Sequence, residues 1–229
     1  MSDEISIQFT RFSAFYSPLI ATIAGGFLQQ EGFAPKHSIA SLGKSAIDGV
    51  VAGTVHVCQS APSQGFGPLE KGQAPPAVHF AQINEMDGFF LTGRAPDPAF
   101  TWDKLKGRRV LVDHGGQPMA MFKYACHKRG LDFASIQAVN VPSDQMDAAF
   151  RKGEGDYVHQ QGPAPQQLEH DRAVLTSTIA YYQKLGCWTP HVEITRPAFE
   201  VALDVFQHAG LITKRHAYED VVAAPPDGA

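Results

Sequence analysis

The chain has 229 residues, enough for one large domain or two small lobes that each bury a core. Hydrophobic residues make up 44% and charged residues 18%, which excludes a disordered chain. Lys plus Arg number 19 against 23 Asp plus Glu, a net charge of −4 with no basic run, which leaves a nucleic-acid partner or an anionic membrane without electrostatic support.

The N-terminus MSDEISIQFTRF carries Asp3 and Glu4 where a secretory leader carries basic residues. As it stands the chain reads as cytoplasmic, and as periplasmic if a leader is missing. ISIQFT (5–10) alternates like a strand. The apolar stretch FSAFYSPLIATIAGGFL is broken by Ser13, Ser17, Pro18, Gly25 and Gly26, so no membrane insertion is expected. A helix is expected from about Ser17 to Gln30, with Leu19, Ile23 and Phe27 on one face. HSIAS follows as a second strand, SAIDGVVAG as a short helix closed by Gly53, and TVHVCQS as a third strand. APSQGFGPLEKGQ reads as a turn and short helix, and PPAVHFAQIN as a fourth strand. Such alternation predicts an α/β lobe with a largely parallel sheet.

DGFFLTGR reads as a further strand that crosses to a second lobe, followed by a loop and short helix in PDPAFTWDKLKGRR. VDHGGQPMAMFKYACHKRG (112–130) reads as a strand end, a tight Gly-Gly turn and a helix. Pro118 suits the first position of that helix, Met119, Phe122 and Cys126 its apolar face, and Gly130 its end. Open N–H groups at such a helix start attract an anion or a carbonyl oxygen; the plainer alternative is a turn whose glycines only relieve backbone strain. SIQAVNV is then a strand, SDQMDAAFRKGEGD a helix, and DYVHQQGPAPQQLEHD repeats the strand–turn–helix shape. VLTSTIAYYQKLG reads as a strand and turn. ITRPAFEVALDVFQHAG is an amphipathic helix with Phe199, Leu203 and Phe206 inward and Gly210 at its end, and PPDGA is a frayed tail.

Ligands of α/β sheets bind beyond the C-terminal strand ends. Those ends are SAFYSP, QSAPSQ, NEMDG, DHGGQP and HQQGP, rich in hydroxyls, amides, aromatics and glycines. They suit a small, partly apolar ligand. Phe15 and Tyr16 can stack on a flat ligand, while Ser60, Ser63, Asn84, Gln117, Gln160 and Gln161 can hydrogen-bond to it. His114 after Asp113 is either a general base or a pocket or surface histidine. His159, a Glu85/Asp87 carboxylate pair on one strand face, and Cys58 complete the candidates for chemistry; the last is more simply a buried thiol, as are Cys126 and Cys187. His56, His79 and His159 lack metal-ligand spacing, so no metal is expected, and no GxSxG, P-loop or GxGxxG points to a cofactor.

The order of these pieces resembles a known family. FYSPLIATIAGGFLQQEGF, AIDGVVAGTVHVCQSAPSQGFGPLEKGQ, FTWDKLKGRRVLVDHGGQPMAMFKYACHKRGLD and MDAAFRKGEGDYVHQQGPAPQQLE are similar, in this order and over roughly residues 8–170, to four blocks of the NMT1/THI5-like solute-binding proteins of ABC importers. The resemblance implies a type 2 periplasmic-binding-protein fold: lobe 1 from residues 1–88 plus 187–229, lobe 2 from 89–186, and a ligand cleft between them. It implies Tyr16, Ser60, Ser63, Gly115, Gly116, Gln117, Gln160 and Gln161 as pocket residues, with His114–Pro118 as the second-lobe clamp. A small organic ligand, anionic or aromatic and heterocyclic, and an ABC permease are the implied partners. The chain departs from the pattern in lacking an export signal, in being shorter after about Gly186, and in lacking the cysteine-rich segment of the pyrimidine-synthesising branch. The same scaffold also hosts cytosolic lyases and hydrolases, so an enzyme using His114, His159, Glu85 or Cys58 is the alternative, and a ligand sensor the third reading.

Overall fold

The computed structural model of the protein describes residues 3–41, 44–113, 116–162 and 172–224. These form two compact units. One takes the described residues within 1–87, 165–200 and 216–229, the other those within 88–164 and 201–215. The division differs from the expected lobes at Gly88, which groups with the second unit, and in two longer stretches. Residues 172–186 group with the first unit, and 201–215 with the second.

The first unit is built on three parallel strands in the order β2-β1-β3: β1 Asp3–Phe9, β2 Phe33–Ile39 and β3 Val57–Cys58. Ile7 and Phe9 of β1 point inward and are buried. Between β1 and β2 the expected long helix is two short ones, α1 Ser17–Ala24 and α2 Phe27–Gln30. The Gly25–Gly26 pair breaks it. Gly26 takes a φ of +77°, a conformation open to glycine and costly for other residues. Helix α3, Ala46–Val51, starts on a capping box: the Ser45 hydroxyl accepts from the Ile47 N–H, and the Asp48 carboxylate accepts from the Ser45 N–H. A 3-10 turn at Pro62–Gly65 leads into α4, Phe66–Glu70, whose Phe66 ring meets the Phe199 ring edge-on at 5.9 Å.

Two expectations for this unit fail. PPAVHFAQIN is not a strand; it makes one isolated parallel bridge, His79 to Val222. Pro75 and Pro76 have no N–H for a ladder. Residues 79–82 are held by distant parts of the chain instead: His79 N donates to Val221 O, Ala223 N to His79 O, and Gln82 N to Val192 O. VLTSTIAYYQK is not a strand either but the helix α7, Arg172–Lys184. Its β-branched residues favour strand locally, yet Val174, Leu175, Thr178, Ile179 and Tyr182 are its less exposed positions and recur at helical spacing. Thr176 and Thr178 satisfy their hydroxyls on the carbonyls of Arg172 and Val174, four residues back. Tyr182 is completely buried.

The second unit holds a four-stranded sheet in the order β4-β7-β5-β6: β4 Phe89–Gly93, β5 Arg109–Asp113, β6 Gln137–Val141 and β7 Tyr157–Gln161. β5, β6 and β7 run parallel, and β4 lies antiparallel at the edge beside β7. Val110, Leu111 and Val112 are all fully buried, as a central strand covered on both faces requires. Alternation sends Val110 and Val112 to Phe122 and Cys126 of α5 (Gly116–Lys128). It sends Leu111 to Met146 and Ala149 of α6 (Met146–Arg151). Each such aliphatic side chain contributes about 1.5–3 kcal/mol by leaving water. The helix α8, Arg196–His208, of which residues 196–200 group with the first unit and 201–208 with the second, buries Phe199, Leu203 and Phe206 as its spacing predicts, and Gly210 follows it at φ +72°. A last short helix, α9, spans Tyr218–Val221 in the first unit.

Gly155, ahead of β7, has no room for a side chain. A Cβ there would lie 2.6 Å from Leu111 Cγ. Gly155→Ala should therefore destabilise by about 1–3 kcal/mol through overpacking, seen as a lower thermal midpoint with the far-UV spectrum unchanged. An unchanged midpoint would mean that Leu111 gives way freely. The expected helix beyond β7 and the PPDGA tail lie outside the described residues.

Candidate functional site

Parallel strands bring their C-terminal ends to one edge, and in both sheets that edge carries the polar and aromatic loops. In the first unit the chain leaves β1 at Thr10 and is pinned at once. Thr10 N–H donates to Gln59 Oε1 at 3.2 Å, and its hydroxyl donates to the Gln59 carbonyl at 2.9 Å. Buried Ser13 then caps a 3-10 turn, Ala14–Tyr16, by accepting from Phe15 N–H at 3.2 Å. The Phe15 carbonyl accepts two side-chain donors, Asn84 Nδ2 at 2.7 Å and Trp188 Nε1 at 2.9 Å. Buried Phe15 packs edge-on to Tyr16, 5.5 Å between centroids, and to Tyr182 at 5.2 Å; Tyr182 and Trp188 are 5.8 Å apart.

This arrangement sorts the expected residues. Phe15 and Asn84 are committed to the turn itself: one as a packed ring and twice-bonded carbonyl, the other as a donor. Tyr16 stays half-exposed at the end of the turn, and Ser60 and Ser63 are half-buried on the loop after β3. Tyr182 and Trp188 are not among the residues expected from the strand ends. The aromatic density of YYQKLGCW is the signal that could have found them, concealed by assigning a strand to the segment before it. Gln59 was also missed; it is buried and holds the start of the loop.

In the second unit the same edge gathers Asp113, Val141, Gln161 and, because β4 is antiparallel, Phe89, which pairs with Gln161. Buried Asp113 accepts a hydrogen bond from the Ser143 hydroxyl, which ties the loop after β6 to the end of β5. Gly116 opens α5 at φ +65°. Nothing lies within 4 Å of the place a methyl group would take, so backbone conformation rather than crowding calls for glycine there. Gln117 is half-buried. Gln160 and Gln161 are adjacent on a strand and therefore point to opposite faces. His114 and Gly115 lie outside the described residues.

The candidates for chemistry fare differently. His159 is buried between aromatic rings, 5.0 Å from Phe89 and 4.6 Å from Phe122. Loss of water lowers its pKa to about 4, so at neutral pH it is an uncharged core imidazole. Burial raises the Cys58 thiol, the opposite of what an activated nucleophile needs. It raises Cys126 to about 11, and burial together with the Asp87 charge raises Cys187. Glu85 and Asp87 do not share a strand face. The segment is irregular there, with Glu85 exposed and its N–H bonded to the Cys187 carbonyl. Among the described residues no three His, Cys, Asp or Glu side chains converge. No helix among them is long and apolar enough to cross a membrane.

Comparison with known proteins agrees with this picture. Residues 14–198 match the family described as NMT1/THI5 like. YtlA of Bacillus subtilis (strain 168), which carries the name of a binding protein, is 26% identical over 158 residues, 68% of this chain and 47% of that protein. The chain thus spans about half the length of the curated relative it matches. Among solved structures, the periplasmic aliphatic sulphonate binding protein SsuA from Escherichia coli is similar at a TM-score of 0.65 and 13% identity, over 98% of this chain and 93% of that one. The ligand-binding component of an ABC-type import system from Staphylococcus aureus is similar at a TM-score of 0.71 and 11% identity, over 98% and 97%. At these identities the likeness is one of fold, and that fold is the α/β periplasmic-binding-protein type expected from the sequence.

Proposed function

The chain belongs to the NMT1/THI5 like family, and from that premise we propose that it binds a small organic molecule and delivers it unchanged, as the solute-binding part of an ABC importer. The observation that carries this reading is the turn Ala14–Tyr16. Half-exposed Tyr16 follows buried Phe15 on this turn, and the loop after β3, whose Gln59 is bonded to Thr10, carries half-buried Ser60 and Ser63. An aromatic ring and hydroxyls on two loops at one sheet edge suit a flat or partly apolar ligand with a polar end. In the second unit the candidates are Gly116, Gln117, Gln160 and Gln161. An anionic or aromatic and heterocyclic ligand fits these groups, and an ABC permease is the partner. A periplasmic setting is supported by the name of the Escherichia coli neighbour. The burial that keeps His159 neutral and raises the Cys58 thiol favours binding over chemistry at those two candidates.

A thermal-shift screen against sulfonates, aromatic acids, amines and pyrimidines tests the proposal. A ligand at 100 times its dissociation constant adds about 2.7 kcal/mol of stability. The ligand should be recovered intact by mass spectrometry, and Tyr16→Ala should weaken its binding without lowering the midpoint of the free protein. Consumption of the ligand would establish the enzyme alternative instead. Unchanged affinity in Tyr16→Ala would remove that ring from the site.

A further inference from the structure

Resting on the binding reading above, we propose that the side-chain carbonyl of Gln161 accepts a hydrogen bond from an N–H of the ligand. The chain thereby selects an amide, amine or heterocycle with a free N–H over a molecule that carries only acceptors. Gln161 is the last residue of β7, at the C-terminal strand edge of the second unit. The residue is half-buried, but its Oε1 atom is closed off from solvent and has no hydrogen-bond partner among the described residues. A carboxamide oxygen can only accept, and buried acceptors in folded proteins are as a rule satisfied. A ligand bound at this edge supplies the missing donor.

The flanking side chains on the same face do not supply it. Phe89 lies directly opposite on β4 and shares the face of Gln161, as does His159 two residues back. The Phe89 and His159 rings are stacked at 5.0 Å, and His159 Nδ1 is itself buried without a partner among the described residues. The edge is also poor in positive charge. The sequence has no Lys or Arg in 113–118, 141–145 or 159–162. The buried Asp113 carboxylate, which accepts from the Ser143 hydroxyl, ends β5 there. A sulfonate or carboxylate at Gln161 would set oxygen against oxygen, whereas an N–H meets the carbonyl directly. The first turn of α5 follows β5 at this edge, and its N–H groups suit a carbonyl oxygen. Gln161 adds the demand for an N–H on the same ligand.

Thermal shifts of the full chain with benzamide, benzylamine and cytosine test the proposal, against benzoate, benzenesulfonate and N,N-dimethylbenzamide at the same concentrations. The three N–H donors should raise the midpoint more than the three probes that lack one. For the donor that binds most tightly, Gln161→Met, which keeps the side-chain length and removes the oxygen, should weaken calorimetric affinity by about tenfold or more. The same change should leave the response to N,N-dimethylbenzamide as it was. Because Oε1 has no partner in the free protein, Gln161→Met should unfold at or above the parental temperature; loss of a structural hydrogen bond would lower it. A lower midpoint, parental affinity for the donor in Gln161→Met, larger shifts from the acceptor-only probes, or no shift from any donor overturns the proposal. A benzenesulfonate that outbinds the donors and is recovered intact overturns this inference alone and leaves the binding reading standing. A probe that is consumed ends that reading and this inference together.

Discussion

Replacing Tyr182 by alanine should cost about 3–5 kcal/mol of stability, the range for removing a large aromatic side chain from a core. Tyr182 is completely buried, and its ring lies against both Phe15 and Trp188. Removing it leaves a void under the 3-10 turn that presents Tyr16. Urea unfolding of Tyr182→Ala should show the loss as a lower midpoint. Tyr182→Phe, which keeps the ring, should retain most of the stability. Ligand binding should weaken in the alanine variant as well, because the turn loses the surface it rests on. A loss below about 1 kcal/mol would mean that the helix carrying Tyr182 does not hold the turn.

The second large effect is one of pH. The folded protein holds His159 neutral down to about pH 4, whereas an unfolded histidine takes up its proton near 6.5. Between those values the unfolded chain binds more protons, so stability falls as pH falls. The full contribution is present above about pH 6.5 and is gone below about pH 4. It amounts to about 3 kcal/mol over that window. Phe89 and Phe122 enclose the ring and supply no charge that would offset it. His159→Gln should be less stable at pH 7.5 but should show a flatter decline between pH 6.5 and 4. A variant as steep as the parent would assign the acid sensitivity to other groups.

The second unit was the more legible part of the chain. RRVLVD reads as a central strand because its apolar run leaves no polar face, and the structure buries both faces of β5. The helices over 116–128 and 196–208 announce themselves by apolar spacing and closing glycines. The first unit was harder. In VLTSTIAYYQK local propensity and helical period disagree, and the period prevails because Tyr182 has a core to enter. PPAVHFAQIN has the alternation of a strand, but its partners are Val192, Val221 and Ala223, far along the chain. The site divides in the same way. Its loops follow from the strand ends, and Tyr16, Ser60 and Ser63 on them are the residues proposed for the ligand. The two donors on the Phe15 carbonyl were not, since Asn84 is 69 residues away and Trp188 is 173. Chain folding, not any local pattern, brings them together.

The bond from Trp188 to the Phe15 carbonyl also gives the protein an optical label. The chain has two tryptophans. Trp188 belongs to the first unit, bonded to the residue before Tyr16, while Trp102 packs on the core of the second. Trp188 emission should shift in wavelength or intensity whenever the turn is occupied or disturbed. Trp102→Phe would leave that signal alone in the spectrum. Occupancy could then be followed on the stopped-flow timescale without a dye, whatever the identity of the ligand.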